Sequence, residues 1–243
     1  MKRISHSTER EKIFSLKSVE RYLIRIFVST LPFCILGMLL FLMAERMGAS
    51  PANAYLMVLA YSFGSISIIH EMLFSGHQAA ASFTFFSFAL LYTTSSVNSK
   101  KNRYISFFSA GLLAGVGALC DYTAIYIAFV LTVYMLFLAA SWKCKALFII
   151  GGAACASILG LYNAMCFGNP FTMSHSVLAN ARFSAGAATG FLGITLPKID
   201  ALWSLIFSPS RGLFFIMPVF LFSLAGFVQM WRMSHKKEVA VIL

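Results

Sequence analysis

From about Tyr22 to Ala44 the chain is almost uninterrupted apolar sequence, and this run limits the fold more than any other feature. About 20 apolar residues are enough to cross the hydrocarbon core of a bilayer as a helix. The run is too long for the apolar region of a signal peptide, and no convincing cleavage site follows it. Similar runs recur, separated by short polar joints. They predict further helices at about Pro51–Ile69, from His77 to about Thr94, and at about Tyr104–Leu119, Thr123–Ala140, Ala146–Met165 and Leu213–Trp231. Only 11% of residues are charged, against about 25% in an ordinary soluble domain. The fold expected is therefore all-α, a polytopic transmembrane bundle of about seven helices with a long outer loop.

The expected organisation begins with a polar, basic N-terminal tail over 1–20. A bundle of about six helices follows over 21–165, then an outer loop over 166–211 and a last transmembrane helix over 212–231. A basic cytoplasmic tail over 232–243 ends the chain. Pro32 is expected to kink the first helix, and Ser50-Pro51 reads as an N-cap followed by a first-turn proline. Within the outer loop, Ile199–Phe207 reads as a short amphipathic or re-entrant piece. In Gly111-Leu-Leu-Ala-Gly115 two small residues recur at one-turn spacing, the pattern of close helix packing.

The net charge of +11 lies mainly in the tails and joints, as the positive-inside bias requires; nucleic-acid binding is not expected. Segments 95–103, 141–145 and the C-terminal tail fall on one face, assigned to the cytoplasm. The joints 70–77 and 120–122 and the long loop then face outside. A cytoplasmic C-terminus after seven helices puts the basic N-terminus outside, against the bias. Five cysteines show neither CxxC nor other metal spacing; most fall in or beside apolar segments and read as small buried residues. His70 and His77 flank a turn, but no third ligand is spaced to complete a metal site.

Ionised groups in a membrane are costly, so they face a cavity, a partner or the interface. Asp121 and Glu71 have a bland reading as interfacial helix caps. The sharper reading gathers them into an outward-facing polar pocket under the long loop. There, Asp121 or Glu71 would orient or deprotonate an acceptor, as the catalytic group. Arg182, Lys198 or Arg211 would hold a phosphate, through the bidentate contacts that arginine favours, and Asn163 would join the substrate-binding set.

The segments LFSGHQAAASF (Leu73–Phe83), GLLAGVGALCDYTAIY (Gly111–Tyr126), YNAMCFGNPF (Tyr162–Phe171) and SPSRGLFFIMPVF (Ser208–Phe220) occur in that order. Together they resemble a bacterial branch of the GT-C superfamily, multi-pass glycosyltransferases related to protein mannosyltransferases, over about residues 20–228. The resemblance implies a helical bundle that transfers a sugar from a polyprenyl-phosphate-linked donor at the outer face of the cell membrane. Asp121-Tyr122 resembles the family's acidic-aromatic turn, and His77 resembles its histidine after the preceding turn, which adds His77 and Tyr122 to the substrate-binding residues. Membrane lipids and the lipid-linked sugar are the implied partners. No cofactor is identified, and a divalent metal is left open.

The family places its key acid in a first outer loop between its first two helices, and nothing before Tyr22 resembles that loop. The expectation is thus a shortened member, either catalytically silent or completed by a separately encoded N-terminal part. Two other classes compete with the enzyme. One is a non-catalytic membrane scaffold or remnant. The other is a lipid or small-solute transporter, for which internal repeats are expected and none is convincing here.

Overall fold

The computed structural model describes residues 19–94, 99–172, 198–210 and 212–232, and every regular element among them is helical. Helix α1 spans Val19–Arg46. Its ladder widens to π-type bonding over Ile26–Thr30 and returns to α-geometry at Leu31. The cause is Pro32, which donates no N–H and whose ring crowds the carbonyl one turn back. A single widened turn absorbs that conflict, and the helix continues through the proline.

Helix α2, Pro51–Gly64, starts as the sequence predicts, with the Ser50 hydroxyl accepting the Asn53 N–H at 3.3 Å. It stops earlier than expected. Ser65 donates its hydroxyl to the Tyr61 carbonyl at 2.7 Å and accepts the Ser67 N–H at 3.2 Å. Its own backbone is extended. Such side-chain bonds compete with the helical ladder, and the expected helix Pro51–Ile69 therefore divides. The shorter piece is α3, Ser67–Met72.

Helix α4 covers Gly76–Thr93, α5 Lys100–Cys120, α6 Ala124–Phe137 and α7 Trp142–Phe167. Two basic joints prove partly helical. Lys100, Lys101 and Arg103 lie in the first turn of α5, and Trp142–Lys145 opens α7. Both joints are held against the end of α6. Arg103 donates from Nη2 to the Ala139 carbonyl at 2.5 Å, and Lys145 donates from Nζ to the Leu136 carbonyl at 2.6 Å. Lys145 on a last-turn carbonyl of α6 and Arg103 on a carbonyl just past its C-cap offset the poor placement of these cations at the positive ends of α5 and α7. Gly168 ends α7 with a left-handed backbone, φ 74°, a conformation open to glycine at little cost.

Helix α8 is Ile199–Phe207, α9 Leu213–Ile216 and α10 Phe220–Arg232. The single helix expected over Leu213–Trp231 is thus broken. Pro218 disfavours helical backbone at the residue before it, and Met217 leaves the helical region at φ −132°, ψ 73°.

The core lies where α4, α5, α6 and α7 meet and contains Leu91, Phe107, Leu131, Tyr134, Met135 and Phe148. Helices α5 and α7 approach at backbone distance. A Cβ on Gly111 would run into the Phe148 backbone, and one on Gly151 would lie 2.7 Å from the Leu112 nitrogen. The small-residue spacing read from Gly111 and Gly115 is therefore a packing device. Outside this core the polarity is that of a membrane protein. Phe129 is 69% exposed and Leu161 64%. Three helices, α1, α5 and α7, are long and apolar enough to cross a bilayer. The chain is a helical membrane protein.

The glycine contact yields a direct expectation. Gly111→Val forces a branched side chain between two backbones and lowers stability by about 1–3 kcal/mol or more. Thermal unfolding in detergent should show a lower Tm for Gly111→Val than for Gly226→Val, since nothing lies near an added Cβ at position 226.

Candidate functional site

The described helices bring two distinct ends together. At one end are the cations Arg103 and Lys145, tied to carbonyls at and just beyond the end of α6. At the other, the turn between α3 and α4 meets the turn between α5 and α6. Phe74 adopts a left-handed backbone, φ 53°, an uncommon and costly state for a large side chain. It reverses the chain so that Ser75 caps α4, accepting the His77 N–H at 3.3 Å. Gly76 then passes so close to α5 that a Cβ there would lie 2.5 Å from the Cys120 carbonyl oxygen. This approach puts the next side chain, His77, onto Asp121.

His77 Nδ1 pairs with Asp121 Oδ2. Asp121 Oδ1 accepts the Thr123 N–H at 2.9 Å, the local turn that aspartate forms with the residue two positions on. Both carboxylate oxygens are thus engaged. The Asp121 side chain is 13% exposed and that of His77 62%, so the carboxylate is sheltered and the imidazole is open. Burial pushes the Asp121 carboxyl up. The Thr123 N–H and hydroxyl and the His77 ring outweigh that and hold it below the ordinary carboxylate value. The His70 ring stands edge-on to His77, with centroids 5.3 Å apart and planes at 83°. With Nδ1 committed to the carboxylate, Nε2 of His77 is the nitrogen left for another partner.

Glu71 is engaged elsewhere. Its Oε1 accepts the Thr30 hydroxyl at 2.6 Å, and its Oε2 lies 3.6 Å from Arg25 Nη2. Both partners belong to α1, and Thr30 closes the widened turn before Pro32. Tyr122 lies in the turn beside Asp121. Asn163 is buried near the end of α7 and donates from Nδ2 to the Pro170 carbonyl at 3.3 Å. Its Oδ1 has no hydrogen-bond partner among the described residues. Lys198 is exposed at the start of α8. Arg182 and Arg211 lie outside the described residues, as does most of the long loop expected to roof the site. Among the described residues, no three His, Cys, Asp or Glu side chains gather as a metal site would need.

A cavity of about 370 Å³ lies between α5, α6 and α7. Gly115, Leu119, Ile125, Thr132 and Phe148 are among its lining residues, and its walls are predominantly apolar. It is distinct in character from the polar pocket that the sequence suggested.

The residues that complete the His77–Asp121 site are Thr123, Gly76 and Phe74. The Asp-x-Thr spacing was a visible signal for the first. The roles of Gly76 and Phe74 depend on which helix lies opposite, which spacing alone does not carry. Arg25 and Thr30 were also missed as partners of Glu71, although an arginine in an apolar run is itself a signal of a partner. No family model, curated protein or solved structure matches the chain.

The state of Asp121 sets a pH dependence. Its carboxyl is held below the ordinary value in the folded chain, so the stability it contributes is complete above the unfolded-state pKa. That contribution is lost as pH falls through the lowered folded-state value. In detergent, the Tm of the wild-type protein should exceed that of Asp121→Asn near neutrality. The gap should close on acidification through that window. A gap independent of pH would show that the carboxylate's charge contributes nothing.

Proposed function

We propose that this chain is a multi-pass enzyme of the cell membrane that transfers a sugar from a polyprenyl-phosphate-linked donor to an acceptor hydroxyl. The observation that carries the reading is the sheltered Asp121 carboxylate paired with the open His77 ring. The pair stands at the end of the bundle opposite Arg103 and Lys145. If the basic end faces the cytoplasm, the pair faces outward, where a donor carried by a membrane lipid can be presented. In this reading seven helices cross the bilayer: α1, α2, α4, α5, α6, α7 and α10.

In the reaction, His77 Nε2 accepts the proton of the acceptor hydroxyl as its oxygen attacks the anomeric carbon. The bond between that carbon and the phosphate oxygen breaks, and polyprenyl phosphate leaves with the bonding pair. Asp121 holds the ring in place through Nδ1 and stabilises the positive charge that it gains, while itself remaining ionised. This division of roles follows the general logic of a carboxylate–histidine pair. Lys198 and the arginines Arg182 and Arg211 are assigned to the phosphate, and Tyr122 and Asn163 to the substrate. The GT-C resemblance supports the same chemistry. Glu71, bound to α1, serves to fix the α3–α4 turn rather than to move a proton.

Protein purified into nanodiscs and given a polyprenyl-phosphate sugar with candidate acceptors, with and without a candidate N-terminal partner, should release polyprenyl phosphate. His77→Ala and Asp121→Asn should each lower the rate by about 10²–10⁴-fold, the usual contribution of a positioned base. Absence of release from wild-type protein under all these conditions would remove the enzyme reading. Sidedness is a separate check: in a cysteine-free background, Ser75→Cys should label from outside the cell and Ser99→Cys only after permeabilisation.

A further inference from the structure

Helix α8 carries large apolar side chains that the rest of the described chain leaves uncovered. Ile199 is 83% exposed, Trp203 66% and Leu205 60%. Their arrangement is not uniform. Asp200 and Ser204 lie one helical turn apart and form a narrow polar stripe, while Ile199, Leu202, Trp203, Ile206 and Phe207 fill a broad apolar face. Nine residues of helix measure about 13 Å, far short of the roughly 30 Å hydrocarbon core. Lys198 before it and Ser208 after it are extended, so neither end prolongs the helix. It is not a span.

Two contacts fix its place in the fold. Trp203 and Phe207 meet as tilted rings with centroids 4.5 Å apart, and Phe207 meets Phe214 of α9 at 5.8 Å. Past α9, the Ile66 N–H donates to Met217 Sδ at 3.3 Å, and Gly64 faces Val219. The join between α9 and α10 therefore sits at the break between α2 and α3. From that break, α3 leads directly into the turn that carries His77. Helix α8 thus belongs to the His77–Asp121 end of the bundle.

We propose that α8 is a membrane-surface helix, lying in the plane of the interface at this end with the lipid as its partner. Its apolar face sinks to the boundary between headgroups and acyl chains, and its Asp200–Ser204 stripe faces water. The occupant is lipid because the apolar face does not stand alone. Through Phe207 and Phe214 it runs on into Phe215, Ile216, Leu221 and Phe222 of α9 and α10, all exposed, and so into the apolar exterior of the bundle. Tryptophan favours the depth at which an apolar ring can rest with its N–H in the polar layer. A helix of this pattern binds the interface through its buried apolar face. The proposal does not depend on the glycosyltransferase reading.

The test measures the depth of Trp203. In full-length protein with Trp142→Phe and Trp231→Phe, reconstituted into nanodiscs, Trp203 fluorescence is recorded with lipids brominated at shallow or deep acyl positions. The expected result is strong quenching by the shallow bromines and weaker quenching by the deep ones. Quenching by neither would mean that α8 is covered by protein or lies in water, and strongest quenching by the deep bromines would mean that it enters the membrane interior. Either result overturns the proposal. Should the double variant not fold, the unaltered protein can be photolabelled with a carbene precursor dissolved in the bilayer. Label on Ile199, Leu202 or Trp203 is then expected, with none on Asp200 or Ser204. An unlabelled 199–207 peptide, or label all round the helix, overturns the proposal.

Discussion

The backbone contact between α5 and α7 at Gly111 and Gly151 is the constraint on which the rest of the bundle depends. In lipid the hydrophobic effect does not drive helices together, and close packing carries much of the association. These glycines let two main chains touch, and Gly115 against Cys155 extends the same seam. With α5 fixed, its C-terminal turn is fixed as well, and α4 completes the arrangement through Gly76 against the Cys120 carbonyl. The His77–Asp121 pair is thus the product of two close approaches, each made possible by a missing Cβ.

Polar groups elsewhere in the helices are handled in the same local way. Thr84 returns its hydroxyl to the Ala80 carbonyl at 2.8 Å, and Gln78 donates to the Tyr61 hydroxyl at 2.8 Å. Glu71 takes its partners from α1, where the widened turn at Pro32 includes Thr30. A proline that would otherwise only disturb a spanning helix thus sits beside the turn whose threonine bonds Glu71. In surroundings of low polarity, leaving such a carboxylate unpartnered is costly.

The apolar runs made the helical membrane class legible, because their length is set by the bilayer rather than by any particular fold. The Ser50 cap, the small-residue seam and the amphipathic piece at Ile199–Phe207 were legible for local reasons: caps, spacing and periodicity act within a few residues. The break at Ser65 was not read, since it rests on one hydroxyl choosing between two backbone partners. Nor were the helical turns at Lys100–Arg103 and Trp142–Lys145, where a run of charge reads as a loop but the cations bind the end of α6. At the site, Asp121 and His77 could each be singled out by type, yet their pairing spans 44 positions. Only the packing of α4 on α5 creates it. Glu71 was grouped with Asp121 for its charge, and the structure engages it with α1 instead.

Neighbouring helices in the bundle differ sharply in length. Helix α5, with 21 residues, extends about 32 Å, whereas its neighbour α6, with 14 residues, extends only about 21 Å. The hydrocarbon core is about 30 Å thick, so α6, by its own length, falls short of it while α5 matches it. The short helix is the one whose first turn follows Asp121. In a bilayer such a helix is accommodated by thinner lipid, by side chains that reach to the interface or by longer neighbours, and α6 has α5 beside it.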